Sequence, residues 1–184
     1  SFSPPKIITT GQGGALLTSN DDLALAIKKL KDFGRASGGH DVHDQIGFNF
    51  KFTDFQGTVG NEQMKKLPSR IARKKEIWRR YQEQLLGLQE TNWLDTDLEQ
   101  VSPWFIDIYT ERRDELAAHL KENEIGSRVV YPPIHSQVAY GQKDQSFPVT
   151  ESFASRGLWL PSAAQLTNDQ IDRICDVVRS FYKG

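Results

Sequence analysis

The sequence predicts an α/β protein that ends in a small domain with an antiparallel sheet. Three observations predict it. A glycine-rich turn lies between apolar segments in the first 18 residues, and helical spacing of apolar residues runs from residue 54 to 86. The remaining residues suggest strand, helix, strand, strand and helix. Short strands alternating with helices in this order indicate an antiparallel sheet with the helices on one face.

The elements of the small domain are predicted from local signals. Three segments predict strands: residues 104–109, 127–131 and 157–161. A helix over residues 111–125 lies between the first two strands, with Gly126 as its C-terminal stop. The last helix begins at a capping box formed by Thr167 and Gln170. Its buried stripe is predicted to contain Ile171, Ile174, Cys175, Val178 and Phe181.

Two helices are predicted before this domain. Asn20 is a good N-cap for a helix that ends near Gly34. In the long helix over residues 54–86, Pro68 predicts a kink or break. Basic residues surround this helix and do not line one face, so a solvated connecting helix is favoured over a nucleic-acid interface.

The overall composition excludes several classes of function. The chain has 184 residues and a formal net charge of −1, so no global field indicates nucleic acid or a membrane surface. We find no signal peptide and no apolar run long enough to span a bilayer. The single Cys175 cannot form an internal disulfide, and a reducing setting fits it best. We therefore expect a cytoplasmic protein.

Lys6 lies in the segment SFSPPKIITTGQGG, residues 1–14. Pro4 and Pro5 fix φ before the lysine and remove two backbone donors, so the backbone that leads to Lys6 is stiff and non-helical. A neutral lysine amine attacks a carbonyl carbon to form a Schiff base. From the residues alone, a surface lysine beside a hairpin is the simpler interpretation.

The residues around this lysine predict a hairpin. Apolar residues 7–8 and 15–17 predict two short buried strands. The glycines between them, Gly11, Gly13 and Gly14, indicate a tight turn or bulge that uses positive φ.

Two loops carry histidines. His40 and His43 lie three residues apart in a polar loop, but no third ligand is evident, so we expect no metal site. His135 follows a pair of prolines and is a candidate acid, base or sugar-hydroxyl contact.

Residues 47–54, GFNFKFTD, alternate aromatic and polar side chains. From the residues alone this pattern predicts a core strand in which the three phenylalanines face inward. Asn49 and Lys51 would then face water.

Together these strings resemble the DegT/StrS family of nucleotide-sugar aminotransferases, which depend on pyridoxal phosphate. The family pattern SFxxxKxxTTGEGG is similar to residues 1–14, with Gln12 where glutamate is most frequent. The family element GxNx(R/K)xT(D/E) is similar to residues 47–54. The family loop YPxPxHxQxxY is similar to residues 131–140, and the resemblance spans essentially the whole chain.

The resemblance implies the fold and the cofactor site. It implies the C-terminal part of an aspartate-aminotransferase-like enzyme of fold type I. Residues 1–53 would end the large cofactor domain, residues 54–90 would form connecting helices, and residues 91–184 would form the small domain. Lys6 is implied to be the catalytic Schiff-base lysine. Ser1 is implied to bind the cofactor phosphate.

The resemblance also implies partners and substrates. Asn49 is implied to reach across a homodimer interface to the cofactor phosphate of the other subunit. Lys51 and His135 are implied to contact the nucleotide-sugar substrate. Family members whose sequence is similar to residues 38–54 transaminate a GDP-linked 4-keto-6-deoxymannose, with glutamate as the amino donor.

Two alternatives stay open. Some members of the family are sugar dehydratases that carry histidine in place of the lysine, so Lys6 favours transamination. About half of a family enzyme precedes this lysine and holds and tunes the cofactor ring, so we expect this chain to be a C-terminal piece. A non-catalytic fragment or interaction module of the same fold is the second alternative.

Overall fold

The computed structural model describes residues 1–141 and 145–183. The chain divides into two compact units, Ser1–Pro68 and Ser69–Gly184. The helices are α1 (Asp21–Lys31), α2 (Asp54–Leu85), α3 (Arg113–Glu122), α4 (Pro148–Arg156) and α5 (Asn168–Lys183). The strands are β1 (Ile106–Tyr109), β2 (Arg128–Val129) and β3 (Gly157–Leu160). Short 3₁₀ turns cover Ile134–Ser136 and Val138–Tyr140.

Helix α1 begins where the sequence predicts. The Asn20 side chain accepts a hydrogen bond from the N–H of Leu23 at 2.9 Å, which satisfies one free donor of the first turn. At the other end, the N–H of Gly34 donates to the carbonyl of Lys29, and Gly34 has a φ of 73°. A Cβ at Gly34 would lie 1.9 Å from the carbonyl oxygen of Gln45, so only glycine fits there.

The two short buried strands predicted near Lys6 are wrong. Residues 7–8 and 15–17 are not in strands, and Leu16 and Leu17 are 74% and 96% exposed. A strand needs the backbone of a neighbour to pair with, and no described segment provides one beside them. The predicted turn is confirmed at two of its glycines, because Gly11 and Gly13 have φ values of 82° and 129°.

The predicted core strand at residues 47–54 is also wrong. Phe48, Phe50 and Phe52 are 49%, 66% and 41% exposed, so they do not form a core. The ladder is limited to an isolated bridge between Asp32 and Asn49.

Helix α2 runs through Pro68 without interruption, so the predicted break is not found. The boundary between the two compact units nevertheless falls after this residue. All buried residues of the helix lie beyond it: Lys74, Ile77, Trp78, Tyr81 and Leu85. The second part of α2 is therefore a core element of the C-terminal unit.

The C-terminal unit has an antiparallel sheet in the order β1–β3–β2, which confirms the predicted sheet. The central strand β3 is buried at all four positions. Ile106 pairs with Leu160 and Val129 pairs with Leu158. One apolar cluster joins the sheet to α2, α3 and α5.

The helices of this unit follow the sequence with two exceptions. The capping box of α5 is confirmed: the N–H of Thr167 donates to the Gln170 side chain, and the N–H of Gln170 donates to the Thr167 hydroxyl. Helix α3 ends before Gly126, and Glu124 takes the positive φ, at 60°. Helix α4 was not predicted, although Pro148 suits a first helical turn.

No helix in the described part of the chain is both long enough and apolar enough to cross a membrane.

Candidate functional site

Lys6 lies in a turn that also carries two serine hydroxyls. Its N–H donates to the carbonyl of Ser3 at 3.1 Å. The Ser1 hydroxyl lies 3.2 Å from the Ser3 hydroxyl and accepts from the N–H of Ser3 at 3.4 Å. Lys6 is half-buried and Ser1 is exposed. The sequence analysis missed Ser3, whose only signal is its position two residues after Ser1.

Hydrogen bonds fix this turn against the glycine segment. The N–H of Phe2 donates to the carbonyl of Gly13 at 2.9 Å, and the carbonyl of Phe2 accepts from the N–H of Thr10 at 3.0 Å. The Thr9 hydroxyl donates to the carbonyl of Phe2 at 2.9 Å and accepts from the N–H of Gly11 at 3.0 Å. The segment that carries Lys6 is therefore held by backbone and hydroxyl hydrogen bonds.

The glycine segment is also held by the first turn of α2. The carbonyl of Gln12 accepts from the Gln56 amide at 3.0 Å and from the Thr10 hydroxyl at 2.6 Å. A Cβ at Gly13 would lie 2.5 Å from the ring of Phe52, so the close approach requires glycine. At Gln12 the backbone carbonyl therefore accepts the hydrogen bonds that hold the segment, and any residue would supply that carbonyl.

The groups in the Lys6 turn suit a phosphorylated aldehyde. Lys6 offers an amine that can bond an aldehyde carbon, and the two hydroxyls are donors suited to phosphate oxygens. Pyridoxal phosphate combines both groups, so the residues present fit this cofactor.

Lys51 and Asn49 meet Asp32 at the end of α1. Lys51 Nζ lies 2.8 Å from Asp32 Oδ1, and its ammonium lies 4.8 Å from the centre of the Phe33 ring. The hydrogen bond from Lys51 is the largest cause that lowers the pKa of the Asp32 carboxyl. Lys51 therefore already has an anionic partner. An anionic ligand would either share the Lys51 ammonium with Asp32 or displace Asp32 from it.

His135 lies in the C-terminal unit, in the turn Ile134–Ser136. Its side chain is 11% exposed, and Nε2 lies 3.0 Å from Glu151 Oε1 on helix α4. The two residues line a cleft of about 580 Å³. The sequence analysis missed Glu151 because it missed the helix that carries it.

The structure thus groups the predicted residues into three sets. Ser1 and Lys6 share one turn, Asn49 and Lys51 share Asp32, and His135 pairs with Glu151 in the other unit. Among the described residues no group of three or more His, Cys, Asp or Glu side chains could hold a metal ion. His43 instead places Nδ1 2.9 Å from the carbonyl of Phe33.

Solved structures identify the class of protein that this fold defines. The whole chain superposes on 50% of a DegT DnrJ EryC1 StrS aminotransferase from Brucella abortus, with a TM-score of 0.88 and 28% identity. It also superposes on 50% of S. venezuelae DesV, solved in complex with a ketimine intermediate, with a TM-score of 0.86 and 30% identity. The fold is that of the pyridoxal phosphate-dependent aminotransferases, which the sequence predicted.

Sequence comparison gives the family. The DegT/DnrJ/EryC1/StrS aminotransferase family matches residues 1–179, and the chain belongs to this family. The chain is 33% identical over 185 residues to the GDP-perosamine synthase of Escherichia coli O157:H7, covering 99% of this chain and 50% of that protein. The chain therefore spans about half the length of the curated relatives it matches.

Proposed function

We propose that this chain is the C-terminal half of a sugar aminotransferase that uses pyridoxal phosphate. The substrate is a nucleotide-linked 4-keto-6-deoxy sugar, as in the GDP-perosamine synthases, and the amino donor is glutamate. The observation that supports the proposal is that Lys6 shares one turn with Ser1 and Ser3: the Lys6 backbone N–H donates to the carbonyl of Ser3, and the two serine hydroxyls lie 3.2 Å apart. When bound, the cofactor supplies an aldehyde for the amino group and a ring that draws electrons from the reacting carbon.

Lys6 has two tasks in this proposal. Its Nζ would bond the aldehyde carbon and so hold the cofactor between turnovers. As a free amine, the same nitrogen takes a proton from the α-carbon of the amino donor and returns a proton when the sugar is aminated. Ser1 and Ser3 bind the phosphate group through their hydroxyls.

Asn49, Lys51 and His135 complete the proposed assembly. Asn49 contributes to the cofactor site of the second subunit in a homodimer, and its exposed position on the bridge to Asp32 supports this role. Lys51 binds an anionic part of the substrate in competition with Asp32. His135 contacts the sugar nucleotide.

The test is the replacement Lys6→Arg in the complete enzyme. Arginine keeps the positive charge but its guanidinium is never a neutral nucleophile. We expect the visible absorbance of the lysine-bound cofactor to disappear and turnover to fall below about one thousandth, because the nucleophile and the proton carrier are lost together. An unchanged spectrum and unchanged turnover would refute the role of Lys6.

The matched control is Lys28→Arg, a lysine on α1 outside the turn, which should leave the spectrum and turnover unchanged.

The chain alone tests the second candidate, a non-catalytic interaction module. Leu16 and Leu17 expose apolar surface that favours this candidate for the isolated chain. We expect the isolated chain to bind the cofactor weakly and to show no transamination, and robust activity would refute the half-enzyme proposal.

A further inference from the structure

The contact between His135 and Glu151 is built by two separate segments. His135 lies in the turn Ile134–Ser136, and Glu151 lies in the first turn of α4. The His135 ring packs against the ring of Phe147, with centroids 4.8 Å apart. Burial to 11% exposure leaves the imidazole little freedom to rotate, so its hydrogen bond to Glu151 fixes the orientation of the ring.

The Glu151 carboxylate is held in its ionised form. Its Oε1 accepts from the N–H of Phe147 at 2.8 Å, at the start of α4. This backbone hydrogen bond is the largest cause that holds the pKa of the Glu151 carboxyl below its ordinary value, and the bond from His135 acts in the same direction.

An ionised carboxylate accepts hydrogen bonds and cannot donate them. The shared hydrogen bond at 3.0 Å therefore requires His135 Nε2 to carry the proton. In the neutral ring, Nδ1 is then the acceptor. Within residues 1–141 and 145–183, no hydrogen bond to Nδ1 is found.

We propose that Glu151 is a positioning residue that holds His135 with Nε2 protonated, so that Nδ1 accepts a hydrogen bond from a sugar hydroxyl of the substrate. This inference rests on the proposed function for the identity of the ligand. The cleft lined by the two residues has a volume of about 580 Å³, within the range typical of small-molecule sites. Metal-binding proteins use the same device, in which a carboxylate orients the histidine through its other ring nitrogen.

The first experiment uses the chain as it is. Nitrogen-15 NMR identifies which ring nitrogen of His135 carries the proton, and loss of the signal in His135→Asn assigns it among the four histidines. We expect an Nε2–H proton that exchanges slowly enough with water to be observed. In Glu151→Ala this proton should exchange too fast to observe. Thr150→Ala, a neighbouring change on the same helix, should leave it observable.

A second variant tests whether the effect of Glu151→Ala comes only from unfolding of α4. Glu151→Gln keeps an oxygen that can accept from Phe147 while it removes the charge, and we expect faster exchange of the His135 proton with an unchanged circular dichroism spectrum. A proton on Nδ1 in the unmodified chain would overturn the inference. So would a slowly exchanging Nε2–H that survives in both Glu151 variants.

The second experiment measures kinetics in the complete enzyme. Loss of one oriented hydrogen bond should raise KM for the keto-sugar nucleotide about three- to tenfold in Glu151→Ala, with KM for glutamate unchanged. Equal changes in both constants would indicate a merely structural role and overturn the inference. If neither the unmodified complete enzyme nor any variant transaminates, the proposed function fails. The NMR result for Glu151 still stands in that case.

Discussion

The two compact units differ most in what they bury. In residues 1–68, all of which the structure describes, Gly34 is the only buried residue. The C-terminal unit instead buries one apolar cluster that joins its sheet to three helices. Yet Lys6, Ser1, Asn49 and Lys51 all lie in the unit without a core. In this chain the proposed cofactor chemistry and the folding stability are therefore carried by different residues.

This comparison explains how the Lys6 turn keeps its shape. Hydrogen bonds among Phe2, Thr9, Thr10 and the glycine segment define it locally. Burial of apolar surface is the dominant favourable term in folding, so a unit without it depends on surfaces outside itself. The exposed Leu16, Leu17 and Phe50 are the residues that we expect to become covered in a complete enzyme.

The largest expected contrast comes from apolar truncations in the two units. Ile108 is fully buried in β1, so Ile108→Ala leaves a cavity and should lower the free energy of unfolding by about 2–5 kcal/mol. Leu17 is 96% exposed, so Leu17→Ala should change it by less than about 0.5 kcal/mol. Urea unfolding followed by circular dichroism measures both. Equal effects would show that the N-terminal unit has a core of its own.

A smaller effect is expected from Lys74, which is buried in the C-terminal unit. Its Nζ donates to the carbonyls of Trp104 and Ser162, both at 2.7 Å. Burial lowers the pKa of its ammonium from 10.5 to about 8. Between these pH values the unfolded chain binds more protons than the folded chain, so the free energy of unfolding should rise with pH.

We expect the free energy of unfolding to increase by roughly 1–3 kcal/mol from pH 8 to pH 10.5. Urea unfolding at several pH values measures the slope. Lys74→Met removes the titrating group and should flatten it, while Lys28→Arg on the surface of α1 should not. A Lys74→Met variant with the parental slope would contradict the assignment.

Elements defined by local signals could be predicted from the sequence. The Asn20 cap and the Thr167 capping box each need only a side chain and the next turn of backbone. The antiparallel sheet follows from the apolar segments that form β1 and β3. Helix α4 was missed because its start lacks a strong N-cap residue: Phe147 occupies that position and makes no side-chain hydrogen bond.

Features that depend on distant partners could not be predicted. Residues 15–17 have the composition of a buried strand, but burial requires a neighbour that their own sequence does not encode. Glu151 could not be linked to His135 because 16 residues separate them and α4 was unknown. Lys6 itself was found through a long specific string, and its contact with Ser3 became visible only in the turn.

The most direct test concerns which lysine bonds the cofactor. Lys74 is the rival, because among the lysines in the described part of the chain it is the one whose pKa burial lowers to about 8, but two carbonyls already hold its ammonium. The complete enzyme should be treated with pyridoxal phosphate, reduced with borohydride and digested, and the modified peptide identified by mass spectrometry. We expect the phosphopyridoxyl group on Lys6. Its presence on Lys74 or another lysine, with Lys6 unmodified, would contradict the account.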